Sequence, residues 1–180
     1  MSETTSPSPA PKKKTAAPRK AAKPAFDPRI VVFACNWCSY AGADTAGVSR
    51  IQHQPHFRMI RVMCSGRVQP AFVLRAFEKG ADGVLVSGCH FGDCHYIFGN
   101  ERAVEQFEKT MKVVKLLGID EARLRLEWIS AAEGARFAEV IDEFTDQVRA
   151  LGPSPFASSD AIDEIDVPET ETGTGTGLEA

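Results

Sequence analysis

The chain has no run of 18 consecutive apolar residues, the least that reads as a membrane-spanning helix. No apolar stretch follows the lysines near its N-terminus, as it would in a secretory signal. Neither a membrane span nor a secretory leader is supported, and a cytoplasmic location is expected. Phosphate-binding glycine patterns are missing as well. The segment AGADTAG, Ala41 to Gly47, does not make G-x-G-x-x-G, and no G-x-x-x-x-G-K-[ST] occurs. A dedicated NAD or ATP site is therefore not expected. Ser65 and Ser87 have no evident histidine and acid arrangement, which removes a serine hydrolase from consideration.

What is present fits one ordinary core. The 180 residues are 43% hydrophobic with a net charge of -3, enough for one domain but hardly two. The balance of charge hides two unlike ends. Residues 1–26 carry six basic groups against one acid, among Pro, Ala and Ser, and residues 151–180 hold seven acids and no base. Both have too little apolar content to offset the entropy of ordering, so disordered tails are expected on either side of a domain at 27–150. The basic run PKKKTAAPRKAAK has no aromatic platform or base-reading helix beside it, so a solubilising or docking tail is expected rather than nucleic-acid recognition.

Within the core, RIVVFAC (Arg29 to Cys35), FRMIRVMC (Phe57 to Cys64) and GVLVSGC (Gly83 to Cys89) are near-continuously apolar or β-branched, as strands covered on both faces are. RLRLEWIS (Arg123 to Ser130) alternates more and reads as a strand nearer an edge. Between the first two strands lies a short, glycine-broken helical segment, about residues 41–51. A second helix starts at Pro70, presents Val73, Leu74 and Phe77, and stops at Gly80. Asn100 can cap a third, carrying Val104, Phe107, Met111, Val114 and Leu117 before Gly118. Ser130 and Glu133 have capping-box spacing ahead of the stripe Phe137, Val140, Ile141, Phe144 and Val148. The order βαβαβαβα predicts an α/β fold, a small doubly wound sheet of four mainly parallel strands flanked by helices. A strand order 2-1-3-4 is expected because it puts a crevice beside the first strand.

All five cysteines, Cys35, Cys38, Cys64, Cys89 and Cys94, fall in this core, and three of them end predicted strands. Open α/β sheets place their chemistry at that rim. In a reducing compartment, metal, cluster or thiol redox chemistry is expected rather than a disulfide scaffold. The pair Cys35-Asn36-Trp37-Cys38 by itself fits a dithiol couple, a structural zinc or two cluster ligands. With all five converging, four thiolates suffice for zinc or an iron-sulfur cluster, and the fifth is a supporting, redox or exchangeable group. Gly88 and Gly92 are expected to let loop amides approach a negatively charged cluster. His90 and His95 are candidate ligands, sulfur donors, interface contacts or turn residues. Asp93 is a loop cap or a proton-handling group. Arg67 offsets thiolate charge, binds an acidic partner or is simply exposed. Trp37 and Tyr40 shield a site, meet a partner or pack.

CNWCSYAGADTAGVSR (Cys35 to Arg50), IRVMCSGRV (Ile60 to Val68), GADGVLVSGCHFGDCHY (Gly80 to Tyr96) and LRLEWISAAEG (Leu124 to Gly134) together closely resemble the delta, or D, iron-sulfur subunit family of methyl-viologen-reducing (F420-non-reducing) hydrogenases. The resemblance covers about residues 30–150 and neither tail. It implies that four of Cys35, Cys38, Cys64, Cys89 and Cys94 hold one [2Fe–2S] cluster. It further implies an electron relay between a hydrogenase or formate dehydrogenase and the flavin-bearing A subunit of a heterodisulfide-reductase-like complex. The chain itself has no paired C-x2-C motifs near its ends to hold nickel and iron, so an electron-transfer subunit rather than an independent catalyst is expected. The alternatives are a thiol–disulfide oxidoreductase using Cys35 and Cys38, and a structural Zn(Cys)4 interaction module.

Overall fold

The computed structural model describes residues 26–157. The basic tail, apart from Phe26, and all seven acids of the C-terminal tail lie outside the described residues. The elements run β1 (Ile30–Cys35), α1 (Ser39–Val48), β2 (Phe57–Val62), α2 (Pro70–Glu78), β3 (Gly83–Gly88), α3 (Gly99–Leu116), β4 (Leu124–Trp128) and α4 (Gly134–Leu151). Two single 3-10 turns, Ser65–Arg67 and Glu121–Arg123, precede α2 and β4.

The sheet has the order β2-β1-β3-β4, and every neighbouring pair is parallel. The expected 2-1-3-4 arrangement is thus observed. Right-handed crossovers explain where the helices go. The chain moves outward from β1 to β2, then reverses across β1 to reach β3 and β4, so the connecting helices change face at that reversal. Ile30, Val32, Ala34 and Leu85 point to one side, where Phe137, Val140, Ile141, Phe144 and Val148 of α4 meet Ala46 of α1. Phe33, Val84 and Val86 point to the other, against Val73 and Phe77 of α2 and Val114 of α3. The 2-residue period of the strands and the 3.6-residue period of the helices meet in two core layers.

The glycine-broken segment does form a helix, and its small residues are the reason. Ser39, Gly42 and Ala46 make its buried face. A Cβ on Gly134, at the start of α4, would stand 2.6 Å from the Ala46 backbone nitrogen. The two helices therefore pack at backbone distance, which larger side chains would prevent.

Two readings from sequence need correction. β2 is an edge strand with Arg58, Ile60 and Arg61 exposed, Ile60 at 45%, and its other residues half-buried; its apolar run is only partly covered. The arginines at 58 and 61, both exposed, suit such an edge. Asn100 does not cap α3 from outside. It lies in the first turn, fully buried, with its amide turned toward the cysteine loop.

At the opposite end of the sheet, Arg123 is 4% exposed and donates to the carbonyls of Asp82, Leu151, Gly152 and Pro153. Asp82 in turn accepts from the Arg29 and Ser154 amides. Residues 151–154 are tied to the sheet by these charge-assisted hydrogen bonds, which are stronger than neutral ones.

Candidate metal centre

Crossover reversal between β1 and β3 leaves a crevice at the carboxyl ends of these two strands, where neither connection covers the sheet. Cys35 is the last residue of β1, and Cys89 directly follows β3. Their sulfurs are 3.8 Å apart. Cys38 comes back to them through the turn that starts α1, so the Sγ atoms of Cys35, Cys38 and Cys89 all lie within 4.8 Å of one another. All three residues are buried. Cys94 packs against this trio from the loop before α3. Cys64, also buried, stands two residues beyond β2.

Three thiols this close cannot ionise independently. The Cys35 thiol is held far down, to about 2, first by the Cys38 thiol donating to its sulfur and then by Cys89. The backbone N–H groups of Trp37 and Ser65 assist, against the cost of burial. Cys38 is pushed up to about 11, chiefly because its proton is engaged by the Cys35 thiolate. Cys89 is driven upward for the same reason. Burial raises Cys64, opposed by the Gly66 amide and reinforced by the neighbouring Cys94. The site thus stabilises the first negative charge and resists the next, the electrostatics of sulfurs gathered for a cation.

The distances suit a metal. Two thiolates on one tetrahedral ion with metal–sulfur bonds of about 2.3 Å stand about 3.8 Å apart, which is the Cys35 to Cys89 spacing. The amides that reach sulfur come from Trp37, Ser65 and Gly66, not from the glycines at 88 and 92. Gly88 serves a different purpose: a Cβ there would meet Ser65 Oγ at 2.6 Å and the Trp128 ring at 2.8 Å. Gly92 has φ +90 and open space around it, the requirement of a turn.

Comparison with known proteins agrees with this geometry. The profile of the methyl-viologen-reducing hydrogenase delta subunit matches residues 30–152. The chain belongs to the methyl-viologen-reducing hydrogenase delta-subunit family. The D-type iron-sulfur subunit of the F420-non-reducing hydrogenase of Archaeoglobus profundus is 51% identical over 131 residues, 73% of this chain and 96% of that protein. Its vhc counterpart in Methanococcus voltae, again a D-type iron-sulfur subunit, is 50% identical over 128 residues, 71% of this chain and 89% of the relative. The A subunit of a ferredoxin/F420H2-dependent CoB-CoM heterodisulfide reductase from Methanosarcina acetivorans is 53% identical over 126 residues, 70% of this chain but 16% of that much longer protein. The delta-subunit module therefore occurs both as a separate chain and as part of a heterodisulfide reductase.

In this delta-subunit-family chain the other candidates divide into clasps and exposed groups. Trp37 stacks on His95 with ring centroids 3.8 Å apart and an interplanar angle of 16°. The Trp37 indole N–H also donates to the Tyr96 hydroxyl at 3.3 Å. This aromatic clasp joins the Cys35–Cys38 turn to the loop carrying Cys94. His90 pairs through Nε2 with Glu133 Oε2 at 2.7 Å, and the same oxygen accepts the Ser130 amide. The capping-box pair is thus half formed, and its acid ties the loop after β3 to the loop after β4. Neither ring has a cysteine sulfur as a hydrogen-bond partner among the described residues. Asp93 is exposed, and only its amide is engaged, closing a turn onto the His90 carbonyl. Arg67 is exposed beside Arg102 in a groove of about 510 Å³ with Met63, Cys64, Tyr96 and Phe98. Tyr40 lies under the Arg61 guanidinium, 5.1 Å from its ring centroid, rather than over the sulfurs.

Sequence reasoning missed the role of Asn100 and missed Gly99 altogether. The Asn100 amide donates to the carbonyls of His90 and Cys89, at 2.9 and 3.4 Å, fixing the cysteine loop on the first turn of α3. Gly99, just before it, carries no side chain where two sulfurs approach. A glycine followed by asparagine at a helix start was the only available signal. No helix among the described residues is long and apolar enough to cross a membrane.

Proposed function

We propose that this chain passes single electrons through a [2Fe–2S] cluster held at the carboxyl rim of the sheet. The donor is a hydrogenase or formate dehydrogenase and the acceptor the flavin-bearing A subunit of a heterodisulfide-reductase-like complex. One observation carries the reading: three buried cysteine sulfurs from two strand ends and one turn gather within 4.8 Å, with two more cysteines adjoining. The occurrence of the same module inside the A subunit of a heterodisulfide reductase supports the choice of acceptor.

Cys35, Cys38 and Cys89 supply three thiolates, and Cys64 or Cys94 the fourth. Bound there, an all-cysteine cluster supplies a one-electron couple whose potential depends on hydrogen bonds to sulfur and on solvent exposure. The chain controls both. The backbone N–H groups of Trp37 and Ser65 favour the Cys35 thiolate and that of Gly66 the Cys64 thiolate, and the N-termini of α1 and α3 add positive potential at the same rim. The Trp37, His95 and Tyr96 clasp limits water. Around it Met63, Phe91, Ile97 and Phe98, together with Trp37 and Tyr96 of the clasp itself, are each more than 40% exposed. An apolar collar around a redox site brings partners close enough for electron transfer.

The dithiol alternative is disfavoured by burial, since Cys35 is 1% and Cys38 6% exposed and thiol exchange requires access. The test is anaerobic purification with measurement of iron, acid-labile sulfide and zinc, together with reduced-state EPR. About two irons and two sulfides per chain with a reducible S = 1/2 signal are expected. Stoichiometric zinc, or metal-free protein with a reversible dithiol couple, rejects the relay.

A further inference from the structure

An all-cysteine cluster takes four thiolates, and this rim offers five. The surplus is not spread evenly. Cys35, Cys38 and Cys89 form one group, whereas Cys64 and Cys94 arrive from two separate loops and meet over the first residue of α3. A Cβ built on Gly99 would lie 2.2 Å from Cys64 Sγ and 2.9 Å from Cys94 Sγ. Both sulfurs therefore converge on the small volume that an alanine methyl would occupy. Both also border the trio. Cys94 packs directly against it, and Cys64 directly follows Met63, whose carbonyl lies 3.8 Å from Cys35 Sγ.

We propose that Cys64 and Cys94 are alternative fourth ligands sharing one coordination position, with Gly99 making room for the one not bound. This rests on the iron-sulfur reading above and assigns the fifth cysteine a role within it. The two alternatives differ in surroundings. Cys64 is 8% exposed and lines the groove formed with Arg67, Phe98 and Arg102, whereas Cys94 does not line it. Cys94 sits half-buried in a loop without strand or helix. Of the two thiols, only Cys64 is open to a group entering this groove. The exchange moves a proton from the incoming thiol to the outgoing thiolate and changes no oxidation state.

The full chain is compared with Cys64→Ala, Cys94→Ala, the double variant and Gly99→Ala, all prepared anaerobically. Iron, sulfide and reduced-state EPR are measured, with far-UV circular dichroism to verify folding. Alanine is chosen because a serine hydroxyl is itself able to bind iron. Each single cysteine variant is expected to keep the full iron content with a simple EPR signal different from the other's. The wild-type spectrum is expected to be a sum of the two, and the double variant to lose its iron. Loss of iron in either single variant as complete as in the double makes that cysteine a fixed ligand and overturns the sharing; full iron in the double overturns it too. Gly99→Ala gives an independent reading if a cysteine variant fails to fold. Its methyl group would stand 2.2 Å from Cys64 Sγ and 2.9 Å from Cys94 Sγ, so Cys64 is displaced the more strongly and the spectrum should collapse toward that of Cys64→Ala; an unchanged mixed spectrum rejects the role of Gly99. Wild-type protein that binds no iron at all removes the cluster reading itself, an outcome distinct from fixed ligation.

Discussion

Cys35 Sγ and Cys89 Sγ stand 3.8 Å apart although 54 residues separate them in sequence. The contact exists because β1 and β3 are neighbours in parallel register, with Ala34 opposite Ser87. The two strands therefore end together at the rim. Cys89→Ala removes one member of the buried trio without touching a core layer. Iron content should fall to near zero while the far-UV spectrum stays unchanged, and the metal-free chain should lose no more than about 1–2 kcal/mol of stability. Retained iron with an unchanged absorption spectrum would show that Cys89 is not a ligand.

The contact between α1 and α4 is set by absent side chains. In Gly134→Ala the new methyl meets the Ala46 backbone, which cannot rotate away. Overpacking of this kind costs about 1–3 kcal/mol, partly offset by the better helix propensity of alanine. Urea denaturation of the variant should show a lower midpoint with an unaltered slope. A midpoint equal to wild type would mean that the helices separate without cost.

Much of this architecture was legible because its signals are periodic. The buried stripe of α4, Phe137 to Val148, and the Pro70 and Gly80 bounds of α2 were readable from spacing. The arrival of cysteines at one rim followed from strands that end in cysteine. What could not be read was contact at a distance. The division of five cysteines into a trio and a pair depends on the α3 start reaching back to the loop after β2, where Gly66 approaches the Gly99 carbonyl. Asn100 reads as a cap because asparagine at a helix start usually is one. Tertiary placement gives its amide a different pair of acceptors. The edge character of β2 was equally hidden, since an apolar run does not show how many faces are covered.

Arg123 binds four carbonyls at the end of the sheet remote from the cysteines. Replacing it with methionine keeps much of the apolar stem but strands those acceptors in a buried place. Hydrogen bonds from a charged donor are worth about 1.5–3 kcal/mol each where the acceptor is left unpaired. Water reaches some of them, so a total loss of about 3–4 kcal/mol is expected, with iron content unaffected. Deleting everything after Ala150 should be similarly damaging, because it removes three of the four acceptors and the Ser154 amide that bonds Asp82. Both changes are read by thermal melting; a truncated chain as stable as the full one would show that the network is dispensable.

Glu133 links the loops after β3 and β4, and its carboxyl is lowered to about 2 from an ordinary 4.5, first by the Ser130 amide and then by His90. A depressed carboxylate contributes stability that is fully present above its unfolded pKa and is lost as pH falls through the folded value. The side chain is 40% exposed, so solvent screening keeps the contribution modest. Glu133→Gln should therefore be less stable than wild type at pH 7, and the difference should shrink steadily between about pH 5 and pH 2. A gap between the two proteins that does not change over this range would refute the assignment.

In the cluster-free chain the thiol trio itself makes a measurable statement. Cys38 is the largest cause of the low Cys35 pKa, ahead of Cys89, and Cys38 itself is raised to about 11 by the same hydrogen bond. Thiolate absorbance in the ultraviolet should accordingly reveal one ionised cysteine that persists well below neutral pH. The Cys38→Ala chain removes the chief donor and leaves burial unopposed by it, so that absorbance should titrate at a higher pH, closer to the ordinary 9.0. Direction decides the matter: a titration midpoint that does not rise in the variant would mean that Cys89 and the amides of Trp37 and Ser65, rather than Cys38, hold the charge on Cys35.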